Sequence, residues 1–128
     1  MNPSNYRYTK DHVWISLQGM VATIGITDYA QAQLGNVVFV QLPKAGAQLR
    51  RGEAFGSVES VKAVNDLPAP ITGEVTRANA ALANSPDLVN QDPYGAAWFL
   101  EIRITNPAEA TELMDANAYA KYVGELAK

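Results

Sequence analysis

The chain has 128 residues, of which 48% are hydrophobic, and this predicts one compact domain over residues 1–128 with a core of its own. Its net charge of −3, its pI near 5.0 and the absence of any basic run longer than Arg50-Arg51 argue against a nucleic-acid partner. With no cysteine and one histidine, His12, it can form neither a disulfide nor a thiolate or multi-histidine metal site, so we expect no metal.

Residues 1–5 are expected to form a flexible tail. They lack the basic start and the apolar stretch of a signal peptide, and no apolar run in the chain is long enough to span a bilayer. We therefore expect no membrane association and a cytoplasmic location. A processed organellar chain, in the mitochondrial matrix, would have the same features.

The first hundred residues are mainly short apolar runs broken by Gly, Pro and Asn, which is typical of a β domain. Residues 13–17 and 20–26 predict a hairpin, and residues 36–42 predict a further strand. Between them, Thr27 is a suitable N-cap for a short helix, and Gly35 is suited to its C-terminal end.

Residues 98–104 predict a half-buried strand, with Trp98, Leu100, Ile102 and Ile104 inward and with Phe99, Glu101 and Arg103 on a wet face. The C-terminal region predicts helices. Asn106 is expected to be an N-cap, and Glu109 is placed to complete a capping box. Farther on, the spacing of Tyr119, Tyr122, Val123 and Leu126 is typical of one apolar helix face. We interpret Trp14 and Trp98 as core residues.

The centre of the chain reads as a hairpin around Lys62. This is the only basic residue between Arg51 and Arg77, and the acidic residues of the interval are Glu53, Glu59, Asp66 and Glu74. Pro68 and Pro70 remove backbone donors and favour a stiff strand at a sheet edge. Asn65-Asp66 is expected to form a local turn.

A lone exposed amine on a rigid hairpin suits a carrier domain, because other enzymes can reach it. Most surface lysines are simply solvated, so the spacing alone leaves that alternative open. A Schiff-base enzyme is a third possibility, but it needs a lysine pKa lowered by burial or by a nearby cation. The acidic surroundings of Lys62 act in the opposite direction.

The chain resembles the glycine cleavage H-protein family, which are lipoyl carriers, from about Tyr6 to Tyr122. The matching segments read GITDYAQ, LGNVVFV, GSVESVKAV, PITGEV and LVNQDPYG, at residues 25–31, 34–40, 56–64, 70–75 and 88–95. The resemblance implies a mainly β fold of the barrel-sandwich hybrid type, a flattened barrel of two quasi-symmetric halves with additional helices. Lys62 is then expected on an exposed turn between the halves.

The resemblance also implies that Lys62 carries covalent lipoate and that Glu59, Ser60, Val61 and Ala63 form the recognition motif around it. The arm would accept an aminomethyl group from a pyridoxal-phosphate glycine decarboxylase and present it to a tetrahydrofolate-dependent aminomethyltransferase. Dihydrolipoyl dehydrogenase would reoxidise it, and a lipoyl ligase or transferase would attach it. The chain is then a monomeric carrier and not an enzyme.

One departure from the family concerns the cleft that shelters the loaded arm. The family usually has His-Glu-Trp where this chain has His12-Val13-Trp14, so the cleft glutamate is missing. Asp66 matches a second acidic position, Asp11 is a possible substitute, and we expect the cargo to be held more loosely. His12 is placed at this cleft, although a packed or hydrogen-bonded role is expected for it rather than that of a base. The loop that contains Asp92, Pro93 and Tyr94 is expected near the cleft.

Three other roles are compatible with the architecture. Because the cleft glutamate is missing, one alternative role is that of a protein that relays or stores lipoate for other complexes. Biotin carriage is disfavoured, because biotin sites usually have methionine on both sides of the lysine, and Val61 and Ala63 occupy those positions. A purely structural interaction module requires that Lys62 is never modified.

Overall fold

The computed structural model describes residues 5–126, so four of the five residues of the expected tail lie outside the described part of the chain. The strands are β1 Arg7–Tyr8, β2 Val13–Gln18, β3 Val21–Ile26, β4 Val37–Gln41, β5 Gln48–Leu49, β6 Ala54–Ser60, β7 Val64–Pro68, β8 Gly73–Ala78 and β9 Leu100–Ile104. The helices are α1 Asp28–Leu34, α2 Ala81–Asn84, α3 Leu88–Gln91, a 3₁₀ helix Pro107–Glu112 and α4 Ala116–Leu126.

The strands form two antiparallel sheets that face each other across the core. The larger sheet has the order β1-β2-β3-β9-β8-β5, and the smaller sheet has the order β4-β6-β7. Buried side chains from both sheets, such as Ile24 and Ile102 from the larger and Val58 and Leu67 from the smaller, belong to one apolar cluster. The predicted mainly β, flattened barrel-sandwich fold is therefore confirmed.

The N-terminal hairpin and the helix that follows it agree with the prediction. Strands β2 and β3 pair from Val13↔Ile26 to Gln18↔Val21, and Gly19 takes the positive φ of 62° that the tight connection requires. The Thr27 side chain accepts a hydrogen bond from the Ala30 N–H at 3.2 Å and so caps α1. Gly35 ends the helix with φ of 79°.

The expected alternation over residues 98–104 is wrong at its start. Phe99 is fully buried and precedes β9, so it is not on a wet face. Trp98 is only half-buried, and the guanidinium carbon of Arg77 lies 4.8 Å from the centroid of its ring. The indole packs against the aromatic cluster of Tyr8, Trp14 and Tyr119 without being buried itself, whereas Trp14 is buried as predicted.

The predicted capping box at Asn106 is also wrong. The Asn106 side chain makes no capping hydrogen bond, and the segment after it is a 3₁₀ helix. The Glu109 carboxylate accepts hydrogen bonds from the Thr72 N–H at 2.7 Å and from the Thr72 hydroxyl at 2.9 Å. Glu109 therefore ties the 3₁₀ helix to the connection between β7 and β8.

Helix α4 follows the predicted face only in part. Tyr119 is fully buried and stacks on Tyr8 with ring centroids 4.7 Å apart, and Tyr122 and Val123 pack against the same aromatic cluster. Leu126, at the last turn, is exposed. The helix is anchored by its first two turns.

We predict that Glu109→Ala lowers the free energy of unfolding by about 1.5–3 kcal/mol, because two hydrogen bonds to a charged acceptor are lost and the Thr72 N–H is left without that partner. Urea unfolding measures the change. The matched control is Glu112→Ala, on the same 3₁₀ helix, which removes a two-bond but solvent-exposed ion pair with Arg51 and should cost less stability than Glu109→Ala. Equal losses in the two variants would contradict the assignment.

Candidate functional site

Lys62 lies at the tip of the β6–β7 hairpin, in a turn that the side chain of Ser60 holds together. The Ser60 hydroxyl oxygen accepts hydrogen bonds from the Lys62 N–H at 3.2 Å and from the Ala63 N–H at 3.3 Å. The Ser60 N–H donates to the Ala63 carbonyl at 2.8 Å. A serine side chain that binds backbone groups two and three residues ahead is a common way to close a short turn. Ser60 is buried, whereas Val61, Lys62 and Ala63 are exposed.

This turn replaces the one predicted at Asn65-Asp66. Both of those residues are in β7, where Asn65 pairs with Val58 and Asp66 pairs with Ser57. The prediction was wrong because the pairing of β6 with β7 begins at Val64, directly after the lysine turn. Asn65 and Asp66 are therefore held in the strand and cannot form a turn. The expected edge position of the strand is confirmed, since β7 lies at one edge of the smaller sheet.

The turn is also fixed from the side of α1 and β4. The Val61 N–H donates to the Asn36 carbonyl at 3.1 Å. Asn90, on α3, holds the residues on both sides of Asn36: its amide donates to the Gly35 carbonyl at 2.8 Å, and its side-chain oxygen accepts from the Val37 N–H at 2.9 Å. Asn90 therefore supports the backbone on which the lysine turn rests.

The Lys62 side chain is exposed and lies over Gly35. A Cβ atom built on Gly35 would be 3.4 Å from Lys62 Cε and 3.8 Å from Nζ, so the glycine leaves the path of the side chain open. Within residues 5–126, Lys62 takes part in no ion pair. The amine is thus accessible and not committed to an internal partner.

A cleft of about 440 Å³ lies beside this turn. One wall is the loop before β2, the second is α1, and the third is β7. Ile26 and Leu67 contribute buried apolar surface to it. The remaining lining residues are Lys10, Asp11, His12, Ala30, Gln33, Leu34, Asn65, Asp66 and Pro68. The structure therefore brings Asp11, His12 and Asp66 to one cleft. Lys62 lies over Gly35, the residue directly after the cleft residue Leu34.

The wall that carries Asp11 and His12 is a tight turn. The Thr9 hydroxyl oxygen accepts from the N–H groups of Asp11 and Val13, each at 3.2 Å, and the Thr9 carbonyl accepts from the His12 N–H at 3.1 Å. His12 has φ of 67°, the one positive value outside glycine among the described residues. Hydrogen bonds on both sides hold this unfavourable backbone conformation, since the His12 carbonyl accepts from the Thr27 N–H.

The imidazole of His12 is held by the C-terminal helix. Its Nδ1 lies 2.8 Å from the Tyr119 hydroxyl, which in turn lies 2.7 Å from the Thr27 hydroxyl. The rings of Tyr29, Tyr119 and Tyr122 surround it. The expected packed and hydrogen-bonded role of His12 is confirmed. Burial lowers the pKa of His12, and the charge of Asp11 offsets this only in part, so the ring is neutral near pH 7.

Val13 is fully buried beneath this cleft. It pairs with Ile26, and residues directly opposite on antiparallel strands have their side chains on the same face. The valine methyls therefore join the core under the cleft. The carboxylates that the chain presents to the cleft are those of Asp11 and Asp66.

The loop of Asp92, Pro93 and Tyr94 packs on the other end of α1. The Trp14 indole N–H donates to the Pro93 carbonyl at 2.9 Å, and the Asp28 N–H donates to the Tyr94 hydroxyl at 3.1 Å. None of the three loop residues lines the cleft. The loop positions α1, and its influence on the cleft is indirect.

Two supporting residues were missed in the sequence. Tyr119 was interpreted only as part of an apolar helix face, and Asn90 only as part of a matching segment. The bonds of Tyr119 to His12 and of Asn90 to Gly35 join positions far apart in the chain, so no local pattern indicates them. An Asn directly after two apolar residues, Leu88 and Val89, is the one sequence feature that could have drawn attention to it.

Comparison with known proteins gives a consistent result. The family model described as glycine cleavage H-protein matches residues 6–126. The chain belongs to this family. The glycine cleavage system H protein of Acidobacterium capsulatum is 52% identical over 123 residues, which cover 96% of this chain and 95% of that protein. The one from Phenylobacterium zucineum is 53% identical over 117 residues, with 91% and 97% covered.

A solved structure agrees. The crystal structure of a glycine cleavage system H protein from Mycobacterium marinum superposes with a TM-score of 0.85 at 36% identity, covering 99% of this chain and 100% of the other. No helix within residues 5–126 of this chain has the length and apolar content needed to cross a membrane.

We predict that His12, the only imidazole of the chain, titrates with an NMR midpoint below 6.5. The folded state then binds the proton less tightly than the unfolded state, so this group destabilises the fold as the pH falls below about 6.5. His12→Asn should lose less stability between pH 7 and pH 5 than the original chain, and asparagine tolerates a positive φ. A midpoint at or above 6.5 would contradict this prediction.

Proposed function

We propose that the chain carries lipoate on the Nζ of Lys62 and serves as the lipoyl carrier of the glycine cleavage system. The observation that carries this proposal is the position of Lys62. It is exposed on a turn closed by Ser60, it makes no ion pair within the described residues, and it lies beside a cleft with an apolar floor. A modifying enzyme can reach this amine, and a neutral arm attached to it has a surface on which to rest.

The residues of the chain fit such an arm. When bound, the lipoyl group would supply a disulfide that is reduced on accepting a one-carbon cargo, and the dithiol left after transfer of the cargo would be reoxidised by dihydrolipoyl dehydrogenase. The protein supplies an anchor of fixed position and a partly sheltered surface. Ile26, Ala30, Leu34 and Leu67 offer apolar contacts to the arm. The chain has no cysteine, so no protein thiol can exchange with the sulfurs of the arm.

The polar groups of the cleft suit a cationic cargo. Asp11 and Asp66 are negative, Lys10 is positive, and His12 is neutral near pH 7, so the lining has a net charge of about −1. The Lys10 ammonium also lies near an aromatic face, with its Nζ 6.0 Å from the centroid of the Tyr122 ring. Asp66 and Asp11 therefore act as the acceptors for an amine on the arm, and His12 keeps its wall in place.

The partners follow from this role. They are the pyridoxal-phosphate glycine decarboxylase, the tetrahydrofolate-dependent aminomethyltransferase, dihydrolipoyl dehydrogenase and a lipoylating ligase or transferase. The chain itself performs no catalytic step. We propose that it acts as a monomer in the cytoplasm with these enzymes.

Intact mass of the chain expressed with a lipoylating enzyme tests the anchor. We expect one lipoyl addition on the original chain and none on Lys62→Arg, which keeps the charge but cannot form the amide. The lipoylated chain should then support glycine decarboxylation by the enzymes of the system. Modification at another lysine would contradict the assignment of Lys62. Modification without support of decarboxylation would instead favour a relay or storage role.

A second prediction concerns the cleft carboxylates. We expect Asp66→Asn, when loaded with the glycine-derived amine, to release formaldehyde a few-fold faster than the original chain, because an exposed charge contributes about 1 kcal/mol or less to holding a cation. Asp87→Asn, on the loop before α3, is the matched control because it removes an acid that does not line the cleft. Release at equal rates in Asp66→Asn and the original chain would show that this carboxylate does not shelter the cargo.

A further inference from the structure

Exposed apolar side chains concentrate around the lysine turn. Among the described residues, the large hydrophobic side chains with at least 40% exposure are Met20, Val21, Val38, Phe39, Val61, Val64 and Leu126. Four of these seven lie on β4, in the turn or at the first residue of β7. Exposing neighbouring apolar side chains to water is unfavourable, and these side chains are not part of the core.

Two of these residues, Phe39 and Val64, share one face of the smaller sheet with Glu59. Phe39 pairs with Glu59, and Glu59 pairs with Val64, so the three side chains are in register across β4, β6 and β7. Side chains directly opposite each other are about 5 Å apart at Cβ. Phe39 and Val64 therefore flank Glu59 on the outer surface. We call the set Phe39, Glu59, Val61 and Val64 the lysine face.

The charge of this face is unbalanced. Within residues 5–126, Glu59 makes no ion pair, and Lys62 is the only base between Arg51 and Arg77. Acylation removes the charge of Lys62. A complementary partner surface has a cation opposite Glu59 and apolar groups on both sides of it.

The face continues into a groove along β4. Phe39 also lines this groove, of about 380 Å³, together with Leu42, Pro43, Ala80, Leu82 and Ala83. An apolar side chain of a partner can enter it next to Phe39. An aromatic residue at the junction of a groove and an exposed sheet face has the features of an interface anchor.

The reach of the lysine indicates which partner docks here. Nζ is about 6 Å from its own Cα in an extended side chain, since it is five bonds of about 1.5 Å away. An enzyme that acylates Nζ must therefore bring its active site against the turn. Enzymes that use the finished arm gain the length of the lipoyl chain and can stay farther from the sheet.

We propose that the lysine face is the docking surface of the enzyme that lipoylates Lys62, and this rests on the proposed function. In that reaction, an amide bond forms between Nζ and the carbonyl carbon of an activated acyl donor, such as a thioester. The bond from that carbon to its leaving group breaks. The lysine ammonium gives up two protons, to the leaving group and to solvent. Phe39 and Val64 hold the enzyme in register with the amine.

The test measures initial rates of lipoylation against carrier concentration. Phe39→Ser and Val64→Ser should each raise the KM for the carrier, about 10-fold or more for Phe39→Ser, with little change in kcat. The matched controls are Met20→Ser and Val21→Ser, which remove apolar side chains of similar exposure from the β2–β3 hairpin. They should leave KM within twofold. Thermal unfolding checks that each variant is folded. If Phe39→Ser does not fold, Val64→Ser alone tests the proposal.

The second arm of the test uses the same variants after complete lipoylation, verified by intact mass. Their KM for glycine decarboxylase should stay within twofold of that of the original chain. Lipoylation at Lys62 with unchanged KM in both face variants would overturn the docking proposal and leave the proposed function intact. A parallel rise in KM for glycine decarboxylase would overturn the assignment to the modifying enzyme, because the face would then be a common docking surface.

Discussion

The presentation of Lys62 depends on the capture of two backbone N–H groups by the Ser60 hydroxyl. Without a partner inside the turn, the amides of Lys62 and Ala63 have only water to bind, and the connection between β6 and β7 loses its defined shape. The buried hydroxyl fixes a short turn, and the side chains of the turn residues Val61, Lys62 and Ala63 are exposed to solvent. Lys62 is exposed because Ser60 is not.

This turn is stiff because its neighbours are bound in sequence. Val61 is tied to Asn36, and Asn90 holds the residues on either side of Asn36 to α3. The same segment includes Gly35, whose lack of a Cβ lets the lysine side chain lie across it. The small sheet, α1 and α3 thus converge on the anchor, and the position of one amine is set by three elements.

The sequence was sufficient wherever the cause of a structure lies within a few residues. The hairpin, the Thr27 cap, the Gly35 terminus and the edge position of β7 all follow from local patterns and were predicted correctly. The failures share a different cause. Glu109 binds Thr72 instead of its own helix end, and Phe99, which precedes β9, is buried where the alternation predicts exposure. Such outcomes depend on which distant groups the fold brings near, which local propensity does not contain.

The candidate site shows the same division. The acidic residues and His12 could be placed at one cleft only through the resemblance to a family, since they come from a loop and a strand more than fifty positions apart in the sequence. The bond from His12 to Tyr119 joins that wall to the last helix and could not be predicted at all. It also explains why a histidine with φ of 67° persists at the wall: its backbone and its ring are both fixed by other segments.

The modest chemistry of the cleft is consistent with a carrier. Its two carboxylates are exposed, and such groups contribute about 1 kcal/mol or less each to holding a cation. The apolar floor adds about 25 cal/mol for each Å² that an arm covers. If the cleft held the arm tightly, the released arm would be rarely populated. Every enzyme that must take the arm out would then bind the carrier more weakly by that free energy of holding. A shallow, partly apolar cleft beside a rigid anchor shelters the arm between encounters and still releases it to each partner.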